Sequence, residues 1–505
     1  MTQAVSRGLI RSMLIIGGAK FANILISIIR MKVLAVLLGP PGLGLLAIYN
    51  SLMQTASTVA GLGLGSSGVR ELASSRGDEA ALSRVRVVLF SAHLIQGLLA
   101  MAVVWLLREP LARWLMGNEA RATEVGLVGI SVLLTLLATS QTALLQGLRK
   151  ISDLGRVTVL GALAGTAAGL LAVWLIGMEG LIWFVLVQPL TAIMVAWFFT
   201  RRLPRPSHFV QTPRAVWDVW RPMVTLGFVF MLGGLANTAT QLIAQSLITH
   251  HLGLGAVGIF AAAWGITMQY VGFLLTAMAT DYYPRLAEIV TDREATNRLV
   301  NEQIQLGLAI GGPVLLLLIG LAPWLINLLY SAEFTAASQL LQWQTVGNVF
   351  KLACWPIGFI FVAAARSWTY AFIQLQWNLV FLIFLFFGLP AVGLPIAGTG
   401  FLVSYILLFI LLALLARNLH GFKWERLSLQ LIVLHAILSL GLLGMGGFPP
   451  SFLAAISVVF AVGTGFIGLR LVAIKLGNGN RIAQRILKLY TVIGWSVKKP
   501  NDTSS

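Results

Sequence analysis

Acidic residues are scarce in this chain, and those present avoid its apolar runs. There are 17 Asp and Glu against 35 Lys and Arg in 505 residues, and every carboxylate reads as part of a loop or the end of an apolar run, including Glu179, Asp281 and Glu333. A proton- or sodium-coupled exporter generally needs a carboxylate inside the membrane to titrate or to hold the ion. That class is therefore disfavoured. Cysteine is nearly missing as well: Cys354 alone, inside an apolar run, excludes an intramolecular disulfide and a cysteine metal cage. It reads as a small core hydrophobe. His93 and His435 lie in separate apolar runs and His250 and His251 at an outer loop, with no metal-ligand spacing among them. His93 and Cys354 are thus expected to tolerate replacement by alanine. No Gly-Lys-Ser/Thr phosphate loop and no nucleophile elbow occurs, so no cofactor is expected.

Hydrophobic residues make up 58% of the chain and charged ones only 10%, which overrules a soluble multidomain reading. The net charge of +18 is spread through short loops instead of one patch interleaved with aromatics, so it reads as a topology signal and not as a nucleic-acid surface. About 14 apolar runs are long enough to cross roughly 30 Å of hydrocarbon. The expected fold is all-α and polytopic, with about 14 transmembrane helices. The first run contains Lys20 and Arg30 and continues to Leu38 with no small-residue cleavage site, so it reads as a retained helix. With the amino terminus inside, about 28 Lys and Arg fall in cytoplasmic segments and about 3 (Arg108, Arg113 and Arg121) outside. Both termini are then cytoplasmic.

An internal repeat organises these runs. Leu38 to Gly44, an apolar span and Arg70-Glu71-Leu72-Ala73 are echoed about 214 or 215 residues later by Leu252-Gly253-Leu254-Gly255, a span and Arg285-Leu286-Ala287-Glu288. Arg149 maps onto Arg366, and Gly180 onto Gly398. Each repeat holds six spans, an even number, so the halves share one orientation about an axis along the membrane normal, around a central cleft. The expected division is 1–200, an N-terminal six-helix lobe; 201–222, a basic cytoplasmic linker; and 223–416, a C-terminal six-helix lobe. Two extra transmembrane helices (417–471) and a basic cytoplasmic tail (472–505) follow. In the tail, Arg481, Arg485 and Lys488 fall on one side of a helix and Ile482, Ile486, Leu489 and Ile493 largely on the other. An interfacial helix and a solvated basic tail both fit that pattern.

Function is sought in polar stripes at helical spacing. Lys20, Asn23, Ser27 and Arg30 lie three, four and three apart, forming one narrow face of the first span. Asn50, Gln54 and Ser57 share a face of the second, Asn237, Gln241 and Gln245 of the seventh, and Gln344, Asn348 and Lys351 of the tenth. Amides in membrane helices also serve as interhelical hydrogen-bond glue, so for Asn and Gln both readings stand. Charge tips the balance: Lys20, Arg30 and Lys351 are read as lining a hydrated path for an anionic substrate, and Arg suits phosphate through paired hydrogen bonds. Lys20 could instead snorkel to the cytoplasmic surface, and Lys32 points off the stripe toward the outer interface. Gly161, Gly165 and Gly169 form a small-residue ladder expected to pack against another helix.

With these residues in view, the chain resembles the polysaccharide transporter branch of the multidrug/oligosaccharidyl-lipid/polysaccharide exporter superfamily, and within it the O-antigen and enterobacterial common antigen (lipid III) flippases. The landmarks are Lys32-Val33-Leu34-Ala35 running into Leu38-Gly39-Pro40-Pro41-Gly42-Leu43-Gly44, and Phe334 followed by Gln342-Trp343-Gln344-Thr345-Val346-Gly347-Asn348-Val349-Phe350-Lys351. The resemblance implies a flippase in a bacterial inner membrane that moves an undecaprenyl-diphosphate-linked oligosaccharide to the periplasmic leaflet by alternating access. Lys20, Arg30 and Lys351 would then engage the diphosphate or acidic sugars, and the amide stripes the sugar hydroxyls. It also implies a polymerase and glycosyltransferases as cellular neighbours. The resemblance further implies an acidic residue near the place of Asn348 in some relatives; the departure here argues against a proton-coupling role at that position. The competing readings are a cation-coupled multidrug exporter of the same fold and a membrane enzyme. Short outer loops, the longest spanning roughly residues 108–124, leave the latter little room for a catalytic site.

Overall fold

A computed structural model describes residues 2–203, 212–476 and 481–492. Among these residues there are fifteen α-helices and no strand. In chain order they are α1 (Thr2–Gly61), α2 (Leu64–Ser74), α3 (Glu79–Leu106), α4 (Arg108–Met116), α5 (Ala122–Gly147), α6 (Ile151–Ile176), α7 (Gly180–Thr200) and α8 (Pro213–Ile289). They continue as α9 (Arg293–Leu329), α10 (Ala337–Ala363), α11 (Ser367–Val392), α12 (Ile396–His420), α13 (Arg426–Gly444), α14 (Pro450–Leu476) and α15 (Arg481–Val492). A helix satisfies its own backbone, which is what hydrocarbon demands of a spanning segment. The protein is a polytopic membrane protein. Among the described residues eleven stretches are long and apolar enough to cross, and three of these, of 47, 50 and 61 residues, far exceed one passage. They are broken at Gly39, Gly177 and Gly253, each with positive φ. The loop expected from Asp281 to Gln303 shrinks to a short turn, because α8 and α9 continue helically past their apolar windows.

Contacts divide the chain into two compact units. One holds the chain up to Ala261 with Leu328–Phe334 and Leu385–Leu394; the other holds Ala262–Asn327, Thr335–Phe384 and the chain from Pro395 onward. In the first, Leu64, Leu72, Val85, Leu89, Ala92, Ala143, Leu144 and Met223 form a core between α2, α3, α5 and α8. The glycine ladder of α6 packs on α7: a methyl on Gly169 would stand 2.5 Å from the Phe184 ring, and one on Gly161 3.3 Å from Ala192 Cα. In the second unit, Leu316, Ile319, Val346, Leu402, Leu442, Leu453 and Ala461 join α9, α10, α12, α13 and α14. There the buried Asn301 of α9 donates to the Lys423 carbonyl (2.9 Å) and accepts from the Glu425 amide (3.0 Å), so a buried amide and the turn before α13 satisfy each other. α15 docks on α14 through Tyr490, whose hydroxyl donates to the Phe466 carbonyl. Arg485, Lys488, Leu489 and Val492 are exposed, whereas Ile493 and Trp495 lie outside the described residues.

The internal repeat is written into the backbone. Gly39 and Gly253, Arg149 and Ala365, and Gly177 and Gly393 all have positive φ, and each pair is separated by about 214 to 216 positions. At the second pair the same helix ending recurs: the Lys150 amide donates to Leu145 O (2.8 Å), and the Arg366 amide to Phe361 O (2.9 Å). Both are six-to-one bonds that close a helix on a left-handed residue.

Within the first unit α1 and α8 meet backbone to backbone. A Cβ on Gly258 would stand 1.9 Å from the Pro40 carbonyl oxygen, and one on Gly44 2.0 Å from that of Leu254. Gly258→Val is therefore expected to destabilise the purified protein by on the order of 1–3 kcal/mol or more. Gly441→Ala, at a helical position with open space around it, should be neutral or slightly stabilising. Thermal unfolding in detergent checks both.

Candidate functional site

Within α1 the predicted stripe grades from open to covered. Lys20 and Asn23 are exposed, and Ser27 and Arg30 are half-buried. The Arg30 guanidinium donates to Ser27 Oγ (3.2 Å) and lies 5.9 Å from the Phe184 ring centroid, while its Nε is buried with no hydrogen-bond partner. No ion pair among the described residues includes Arg30 or Lys351. Lys32 leaves the stripe, as expected, and donates to the Tyr330 carbonyl. Past the Gly39 break, Asn50 is half-buried, Gln54 exposed and Ser57 half-buried. On α8, Asn237 is exposed and Gln241 half-buried, but Gln245 is fully buried with neither amide atom partnered.

α10, in the second unit, carries the other charge. Gln344 is buried and accepts from Thr267 Oγ1 (2.9 Å); Asn348 is buried with its Oδ1 unpartnered. Lys351 Nζ stands 3.5 Å from Met268 Sδ and 5.5 Å from the Tyr405 ring centroid. Tyr405 belongs to an aromatic wall in which Trp377 stacks on Phe381 (5.5 Å, 11°) and meets Phe401 edge-on (5.8 Å, 84°). A thioether and a ring face attract an ammonium without neutralising it. Trp377 and Phe381 stand four apart on α11 and Phe401 and Tyr405 four apart on α12, so helical spacing was legible within each pair; that the two pairs meet was not.

Gln54 and Ser57 open onto a cavity of about 360 Å³ inside the first unit, formed by α1, α2, α3, α5 and α8. Its other polar walls are Thr58, Ser66, His93, Thr135, Thr139 and Thr238, and among the described residues no Lys, Arg, Asp or Glu lines it. Thr135 and Thr139 stand at helical spacing on α5 and were open to the same stripe test. His93 was not, being a single polar residue in an apolar run.

The architecture is shared with solved membrane transporters. The structure of lipid II flippase MurJ in an inward closed conformation aligns with 91% of this chain and 99% of its own, at a TM-score of 0.69 and 13% identity. An inward-facing multidrug resistance MATE transporter of the MOP superfamily aligns over 79% and 94%, at 0.65 and 16%. The fold is that of this class of transporter. In sequence, the family of polysaccharide biosynthesis proteins matches residues 33–339, and the chain belongs to that family. It is also 26% identical over 384 residues to the lipid III flippases of Escherichia coli (strain K12) and Shigella flexneri, covering 75% of this chain and 91% of theirs.

A charge without a counter-charge in a membrane helix costs stability. Lys351→Met and Arg30→Met are each expected to leave the thermal unfolding temperature of the purified protein unchanged or to raise it. A fall of several degrees in either variant would make that charge a structural element.

Proposed function

We propose that this chain is a flippase that moves an undecaprenyl-diphosphate-linked oligosaccharide, such as an O-antigen or exopolysaccharide repeat unit, from the cytoplasmic to the periplasmic leaflet by alternating access. It is a membrane transporter and not an enzyme. The observation that carries this reading is the similarity to lipid III flippase along 91% of that protein. The likeness to MurJ and to the MATE transporter supports it at the level of fold. The unpaired cations supply a chemical reason: a diphosphate brings the negative charge that Arg30 and Lys351 lack, and a guanidinium can hold two of its oxygens at once.

On this reading Lys20, Arg30 and Lys351 engage the diphosphate or acidic sugars, while Asn23, Ser27, Asn50, Gln54, Asn237, Gln241, Gln245, Gln344 and Asn348 line the path for sugar hydroxyls. The lipid tail stays in the bilayer. The three overlong apolar stretches cross twice, giving about 14 passages with both termini in the cytoplasm of a bacterial inner membrane. Residues 1–200 and 223–416 act as the two moving lobes, joined by the basic linker 201–222. The helices of 417–471 and the basic tail of 472–505 stand outside the repeat. α15 lies on the anionic inner leaflet, with Arg485 and Lys488 toward the headgroups. A polysaccharide polymerase acts on the product.

The test is leaflet translocation of a labelled undecaprenyl-diphosphate oligosaccharide in proteoliposomes. Wild type transports; Arg30→Ala and Lys351→Ala reach normal membrane levels and lose most of the rate, on the order of tenfold or more; Arg30→Lys retains part of it. Wild-type rates in both alanine variants would sink the cationic-path reading. Failure of folded wild type with several native lipid-linked sugars would favour a small-molecule exporter of the same fold.

A further inference from the structure

The wall of the cavity beside Gln54 and Ser57 includes His93, and its surroundings replace the expectation that this residue tolerates alanine. His93 has no exposed surface, and its Nδ1 lies 2.8 Å from the Leu89 carbonyl oxygen. A carbonyl only accepts, so Nδ1 carries the proton of that bond, and the neutral ring leaves Nε2 as a bare acceptor. Nε2 is buried without a partner, and His93 lines the cavity. His435 makes the same backbone contact to Leu431 O (2.8 Å), but its Nε2 sits against the Gly312 backbone, in a packing slot. The two histidines share a local bond and differ in where the ring stands: His435 against the Gly312 backbone, His93 in the wall of the cavity.

The other cavity groups point the same way. Thr58 Oγ1 donates to Gln54 O (2.7 Å), Thr139 Oγ1 to Thr135 O (2.8 Å) and Thr135 Oγ1 to Met53 Sδ (3.6 Å). Their protons are committed to the protein and their oxygen lone pairs remain. Ser57 Oγ is buried with no partner, so its hydroxyl, like the Gln54 side-chain amide, can both donate and accept. Against the donors of Gln54 and Ser57, the threonine oxygens and His93 leave acceptors in the majority, and among the described residues no charged side chain lines the cavity. Its complement is an uncharged ligand rich in O–H or N–H donors, and about 360 Å³ falls within the usual size of small-ligand sites. A divalent cation would want carboxylates, and a phosphate would want donors.

We propose that this cavity is a subsite for a neutral sugar, with His93 Nε2 accepting a hydroxyl or acetamido hydrogen and thereby setting substrate specificity, apart from the cations that would hold the diphosphate. The inference rests on the flippase reading but is tested separately from it. Three probes are titrated onto purified protein in nanodiscs: undecaprenyl diphosphate, undecaprenyl-diphosphoryl-N-acetylglucosamine, and free N-acetylglucosamine. Wild type should bind the glycosylated lipid about 2- to 10-fold more tightly than the bare lipid, the span of a neutral hydrogen bond or two. His93→Phe, which keeps ring volume, should bring that ratio close to one. His93→Gln, whose Oε1 can accept, should restore part of it, and Ser57→Ala should lower it if His93→Phe does not fold. A ratio of one in wild type, or an unchanged ratio in folded His93→Phe, overturns the subsite. So does a gain that follows sodium and not the sugar. Free sugar binding that depends on His93, together with no binding of either lipid, keeps the subsite and overturns the lipid-linked substrate.

Discussion

Placing an uncompensated positive charge in an apolar helix costs roughly 2.5–3.5 kcal/mol on insertion scales, and this chain does so in each of its two compact units. Arg30 has a serine hydroxyl and a phenyl ring for company, Lys351 a thioether and a phenol ring. None of these partners brings negative charge. A fold can hold such groups only where the helices around them are otherwise well packed, and the two cores are dense in fully buried Leu, Ile and Val. The low acidic content has the same meaning seen from the other side: a resident carboxylate would cancel the attraction that an anionic substrate is proposed to supply.

The backbone breaks recur in a symmetric form. Gly39 and Gly253 break two very long helices at equivalent points of the repeat, and Arg149 and Ala365 end two others in the same left-handed conformation. Side chains rarely adopt such angles, and they persist where the surrounding structure holds them. Near the first of these breaks, α1 and α8 touch through Pro40, Gly44, Leu254 and Gly258 with no room for a side chain. Contacts between backbones can be made and broken without repacking large side chains, which suits the alternating access proposed for this chain.

Charge and specificity are assigned to different groups in the proposed scheme. A diphosphate is common to every lipid-linked sugar of this kind, so Arg30 and Lys351 would give affinity without discrimination. Discrimination needs buried polar atoms that are satisfied by one ligand and orphaned by another. His93 Nε2 and Ser57 Oγ are such atoms.

The single sequence was enough for the membrane class, the helical fold, the internal repeat, the packing role of the α6 glycines and the resemblance to lipid-linked sugar transporters. Each depends on local periodicity, composition or a short motif, and a helix in hydrocarbon expresses these directly because its backbone must satisfy itself. Residues that gain meaning only from distant neighbours were not legible. Gln245 and Gln54 look alike in sequence, yet one is sealed and the other open, a difference set by which helices pack over each. His93 and His435 were read alike as polar interruptions of apolar spans, and only tertiary packing sets one against a glycine backbone and the other against a cavity. Spacing along a helix determines which face a side chain shares; what that face meets is decided by the chain that folds against it.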